Sequence, residues 1–68
     1  MPNYGFDGLP QYLKTAEAAA YAHTSKAYLE LARYRGTGPP FLKIGRMVRY
    51  RRASLDLWLI QHEQQSIN

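Results

Sequence analysis

Five consecutive residues, Gly36-Thr37-Gly38-Pro39-Pro40, divide this chain into two parts that cannot be one element. Adjacent prolines withhold backbone donors and clash with a preceding helical turn, so no helix runs through them. Before the break, alanines cluster and apolar residues recur three apart, the spacing of a helix. After it, apolar and basic residues alternate around a glycine, as in a β-hairpin. With 68 residues the chain holds one domain at most. A domain that small buries only about 60% of the surface its unfolded chain exposes. The absence of cysteine removes disulfide staples and thiolate metal sites, and fits a reducing compartment. Apolar residues at 46% still supply a small core.

The local signals give an α+β order of elements. Residues 1–11 hold two prolines, two glycines, Asn3 and Asp7, and read as an irregular arm. Gln11 to Lys14 suits a short strand with Leu13 turned inward. Thr15 is the expected cap of a first helix running to Ala22, packed through Ala18, Ala19 and Ala22. Glu17 adds favourable charge near that helix's start. The residue that would complete a capping box on Thr15 is Ala18, not Glu or Gln. Ser25 is the expected cap of a second helix, which Gly36 ends.

Phe41 to Arg51 reads as a two-stranded hairpin. A three-residue turn at 45–47 gathers Leu42, Ile44, Val48 and Tyr50 on one face and Lys43, Arg49 and Arg51 on the other. A two-residue turn would put Lys43 beside Val48, so the apolar pattern favours the longer turn. Ser54 to about Glu63 forms a last helix with Leu55, Trp58 and Leu59 as a buried stripe, widened by Leu57 and Ile60. Residues 64–68 read as a frayed tail, leaving 12–63 as the folded unit.

Charge is unevenly distributed. Between Lys26 and Arg52 stand eight basic residues and one acid, Glu30, a net of +7. The rest of the chain sets Lys14 against Asp7, Glu17, Asp56 and Glu63, a net of −3. A concentrated basic segment on a small domain points to a polyanion, with a solvated basic surface as the plain alternative. Met1-Pro2-Asn3-Tyr4-Gly5 lacks the basic start and apolar stretch of a secretory signal. The longest strictly apolar run, Leu57 to Ile60, is far short of the roughly 20 residues that span a bilayer. The expectation is a cytoplasmic, nucleoid-associated protein with no membrane contact.

Thr15-Ala16-Glu17-Ala18-Ala19-Ala20-Tyr21, then Ser25 through Arg35, then Gly36 to Arg46 with Tyr50 and Trp58 following, resemble the excisionase and AlpA-like family of small MerR-type winged helix-turn-helix proteins. The resemblance covers about residues 12 to 60 without a gap. It implies two short helices, a two-stranded β-hairpin wing and a C-terminal helix. It departs at Ala22 and Thr24, where the family has larger aliphatics, and at His23, where it has glycine. Glu30 and Tyr34 replace basic residues common in relatives.

In such a fold the second helix enters the major groove with its N-terminal end towards base edges. That end carries Ser25, Lys26, Ala27 and Tyr28. Lys26 suits a guanine edge or a phosphate, and Ala27 a thymine methyl. Ser25 either caps the helix or reads a base; Tyr28 either touches DNA or packs. Glu30 either accepts from a cytosine amine or pairs with a nearby arginine. Arg33, Lys43, Arg46 and Arg49 are expected phosphate contacts, Arg46 from the hairpin tip. Arg51 and Arg52 serve the same backbone or pair with Asp56.

No catalytic set stands out. His23 and His62 are far apart and unsupported by cysteine, so no metal is expected, and no cofactor. Gly36 and Gly38 flank a proline turn, not the strand-to-helix turn of a nucleotide fingerprint. No outward aromatic platform favours RNA. The resemblance implies a non-enzymatic excisionase, a recombination directionality factor. Such a protein binds cooperatively and bends attachment-site DNA to help a tyrosine integrase excise a mobile element such as a prophage. An AlpA-like transcription regulator would use the same contacts. A protein-interaction adaptor is the rival from another class.

Overall fold

The computed structural model describes residues 10–63. The irregular arm therefore lies outside the described residues up to residue 9, and the tail at 64–68 lies wholly outside them. The order is β1 (Tyr12–Leu13), α1 (Thr15–Tyr21), α2 (Lys26–Arg35), β2 (Leu42–Ile44), β3 (Met47–Arg51) and α3 (Arg52–Gln61).

The helix ends follow side-chain chemistry. Lys14, not Thr15, is the residue before the first turn of α1, and its N–H donates to Glu17 Oε1 at 2.8 Å. The cap sits one residue earlier than expected because Glu17 then falls at the third helical position, where an acid can reach back to the cap amide. Ala22 follows the helix and is half-buried. His23 takes φ 57° there, with its N–H on Ala20 O at 3.2 Å and Thr24 N–H on Ala19 O at 2.8 Å. Ser25 caps α2, its hydroxyl accepting from Tyr28 N–H at 3.0 Å. Gly36 ends α2 at φ 72°, a conformation that costs a side-chain-bearing residue about 1 kcal/mol or more. Helix α3 starts at Arg52, two residues before Ser54, because the chain passes straight from β3 into it. There Arg52 N–H donates to Gln11 O at 2.8 Å. It ends at Gln61, two residues before Glu63.

The sheet corrects two expectations. It has three antiparallel strands in the order β1-β3-β2, because the short strand at Tyr12–Leu13 joins the free edge of the hairpin. The hairpin register pairs Leu42 with Arg49, Lys43 with Val48 and Ile44 with Met47, so the turn is two residues, Gly45-Arg46. Gly45 stands first in that turn at φ 60°, the place where a type II′ turn uses glycine. Turn chemistry thus overrides the apolar pattern. Strand alternation then places Leu13, Lys43, Val48 and Tyr50 on one face, and Tyr12, Leu42, Ile44, Met47, Arg49 and Arg51 on the other. Leu42 and Ile44 are exposed, Ile44 at 67%.

The core cluster is Leu13, Ala18, Ala19, Leu29, Tyr50 and Leu55, with Tyr21 and Val48 packed against it. Ala32 and Pro39 are buried as well. The small side chains of Ala18 and Ala19 let α1 lie close to α2 and β3. Tyr21 Oη donates to Asp56 Oδ1 at 2.5 Å and ties α1 to α3. The stripe expected on α3 narrows: Leu55 is fully buried, Trp58 and Leu59 are half-buried, and Leu57 and Ile60 are exposed. The reason is that α3 leans on β3 along one edge, and a core this small covers only that edge. Among the described residues no helix is long and apolar enough to cross a membrane.

Candidate nucleic-acid interface

A cleft of about 340 Å³ runs between the start of α1, the exposed side of α2 and the turn of the hairpin. Its cations come from three parts of the fold. Lys14 precedes α1, Lys26 and Arg33 stand on α2, and Arg46 and Arg49 stand on the wing. Glu30 is the one acid among its lining residues. The helix contributes two cations because its caps fix its phase. With Ser25 as the cap, Lys26 is the first helical residue, and Glu30 and Arg33 follow on the same side at helical spacing. The wing contributes two because the two-residue turn leaves Arg46 exposed at the tip, with Arg49 two residues beyond Met47. Five positive side chains on one concave surface raise the local potential for an anion.

The residues expected at the interface divide into groups. Lys26, Arg33, Arg46 and Arg49 line this cleft together. Ala27 and Tyr28 share the first turn of α2 with Lys26 and are exposed, Tyr28 at 50%. Tyr28 is thus open to a partner rather than packed. Ser25 caps the helix, its hydroxyl accepting from Tyr28 N–H at 3.0 Å. Lys43 is exposed but does not share a face with Arg49, contrary to the expected grouping; the two-residue turn places them on opposite sides of the sheet. It lines a neighbouring depression with Glu30, Arg33, Tyr34 and Phe41.

Two arginines are partly engaged. Arg49 Nη1 donates to the carbonyl of Val48 at 2.8 Å. Arg33 Nη1 donates to Tyr50 Oη at 2.9 Å and to Thr15 Oγ1 at 3.4 Å, and its guanidinium carbon lies 5.6 Å from the centre of the Phe41 ring. Lys14 was missed as an interface residue. It lies outside the basic segment, and only its place at the head of α1 brings it to the cleft. Among the described residues no group of His, Cys, Asp or Glu side chains is placed to hold a metal ion.

The helix pair, the tight connection between them and the basic hairpin beside the second helix form the geometry of a winged helix-turn-helix. Comparison with curated proteins finds no match. The family model of the helix-turn-helix domain matches residues 12–63, from the first strand to just beyond α3. With that match spanning most of its length and the fold in agreement, the chain belongs to the helix-turn-helix domain family, whose members of this small kind bind DNA.

Proposed function

We propose that this chain binds double-stranded DNA sequence-specifically and without catalysis. In this reading it is an excisionase-type recombination directionality factor that bends attachment-site DNA and promotes integrase-mediated excision of a mobile element. The observation that carries the reading is the meeting of Lys26 at the head of α2 with Arg46 and Arg49 of the wing in one cationic cleft. A helix start aimed at base edges supplies specificity, while flanking cations hold phosphates and supply affinity. Engagement of about five phosphates gives a log–log salt slope of about −4 to −5. One domain of this size offers a small interface, so single-site binding is weak and neighbouring copies reinforce one another. Cooperative contacts along one face of the duplex offset the cost of bending it. A tyrosine integrase is the partner that such a bent complex serves.

The test is a gel shift across a protein titration at physiological salt, with the element's attachment-site DNA against a scrambled duplex. Stepwise complexes on the attachment site, with abnormal mobility when the site is centred, support the excisionase reading. Preference for promoter DNA over attachment-site DNA would make the chain an AlpA-like regulator. No shift on any duplex at low salt would overturn DNA binding and favour a protein-interaction adaptor.

A further inference from the structure

Helix α2 packs closely on α1 but makes few close backbone approaches to either strand of the wing. Yet a helix that enters a groove and a wing that reaches the flanking phosphates must keep a fixed relative placement to fit one duplex. Something other than backbone packing has to set it. Arg33 spans the gap. From the last turn of α2 its Nη1 donates to Tyr50 Oη at 2.9 Å and to Thr15 Oγ1 at 3.4 Å. Tyr50 belongs to β3 and is fully buried; Thr15 opens α1. The guanidinium also lies over Phe41, the residue that leads into β2, and Phe41 in turn meets the Tyr50 ring at 6.1 Å between centroids, tilted by 49°. One side chain therefore touches α1, the entry to β2 and β3 at once. A planar guanidinium suits this task, because it bonds in its plane while its face stacks on a ring; an ammonium is a compact point charge with no separate edge and face.

We propose that Arg33 is a positioning residue that fixes the recognition helix relative to the wing through Tyr50, and that this, rather than phosphate binding, is its contribution to DNA recognition. The proposal rests on the DNA-binding reading above. It explains why a buried tyrosine, whose ring alone would fill the core, directs its hydroxyl to a cation on another element. It also separates Arg33 from Arg46, which shares the cleft but is exposed at the tip of the turn.

The experiment uses the full chain and two probes: a duplex selected by the wild-type protein from a random-sequence pool, and a scrambled duplex of equal length. The variants are Tyr50→Phe, which removes only the hydroxyl, and Arg33→Lys, which keeps the charge. Each is expected to lose about tenfold in affinity for the selected duplex, the size of one charge-assisted hydrogen bond. Affinity for the scrambled duplex and its salt slope should stay unchanged. The double variant should lose no more than either single one. If both single variants bind the selected duplex like wild type, Arg33 acts through its charge alone and the proposal is overturned. If a variant does not fold, the wild-type protein without DNA decides by NMR. Slowed rotation of the Arg33 guanidinium, with separate Nη resonances, supports the pin, and free rotation overturns it. Wild-type protein that binds no duplex would remove the DNA reading itself, while the same NMR measurement would still show whether Arg33 is held.

Discussion

His23 and Gly36 occupy equivalent positions in two successive helix ends. Each stands just past its helix in the left-handed region, at φ 57° and φ 72°. In each case the next residue's N–H reaches back to the helix, Thr24 to Ala19 O at 2.8 Å and Thr37 to Ala32 O at 2.9 Å. Both ends are Schellman motifs. The second uses the residue this geometry favours and the first does not. The turn between α1 and α2 therefore keeps its shape despite His23, at the cost of strain at one residue.

That strain is measurable. His23→Gly should stabilise the domain by about 0.5–1 kcal/mol, the relief of the left-handed penalty less the added freedom of the unfolded chain. For a domain of this size the melting temperature should rise by a few degrees in a thermal circular-dichroism scan. An unchanged or lower melting temperature would mean that the turn is not strained at His23.

Gly38 is held by a close approach. A Cβ built there would lie 2.9 Å from Ala32 Cβ. Gly38→Ala should cost about 1–3 kcal/mol through overpacking of the α2–β2 connection against α2. Adding Ala32→Gly removes the opposing atom, so the double variant should lose less than the two single losses together. A double-mutant cycle from denaturant melts checks this, and strict additivity would refute the contact.

The unequal burial of α3 sets an order of effects. Leu55 is fully buried, whereas Trp58 is half-buried and lies beside His62, with ring centroids 4.5 Å apart. Leu55→Ala should cost about 2–5 kcal/mol. Trp58→Ala should cost about 2 kcal/mol, below the value for a fully enclosed ring. Equilibrium denaturation of both variants tests the ranking, and a greater loss at Trp58 would contradict the packing described for α3.

At the wing tip, Arg46→Ala should leave the melting transition in place, since the side chain is exposed. It should weaken binding to every duplex alike and make the salt slope shallower by about 0.9, the signature of one lost phosphate contact. Binding isotherms at four salt concentrations suffice. A loss confined to one DNA sequence would instead make Arg46 a base reader.

Much of this was legible in the sequence wherever one residue's chemistry decides a boundary. Ser25 and Gly36 delimit α2 as expected, and the proline pair separates it from the hairpin. The cap of α1 differs from the expectation because Thr15 is the better capping side chain, while the spacing to Glu17 favours Lys14. The hairpin register departs from the apolar pattern for a similar reason. Leu42 and Ile44 argue for burial, but Gly45 argues for a short turn, and both aliphatic side chains end up exposed. In the interface, Lys26, Arg33, Arg46 and Arg49, the contacts that the resemblance to winged helix-turn-helix proteins implies, line one cleft. Lys14 was not, because its proximity is a product of the third dimension, and Arg33's partners lie 17 and 18 residues away.

The two-residue turn at Gly45-Arg46 gives the wing a parity. Side chains change sides with every step along a strand, so the number of residues in the turn decides which half of β2 faces α2. With two, the inner place opposite Val48 falls to Lys43, and the aliphatic pair Leu42 and Ile44 is turned to solvent. A turn that also took in Met47 would shift the register by one and exchange them, trading a cation near the helix for grease and turning Leu42 and Ile44 inward. Among chains built on this plan, registers that differ by one residue would thus be two different wings, and substitutions tolerated on one would be misplaced on the other.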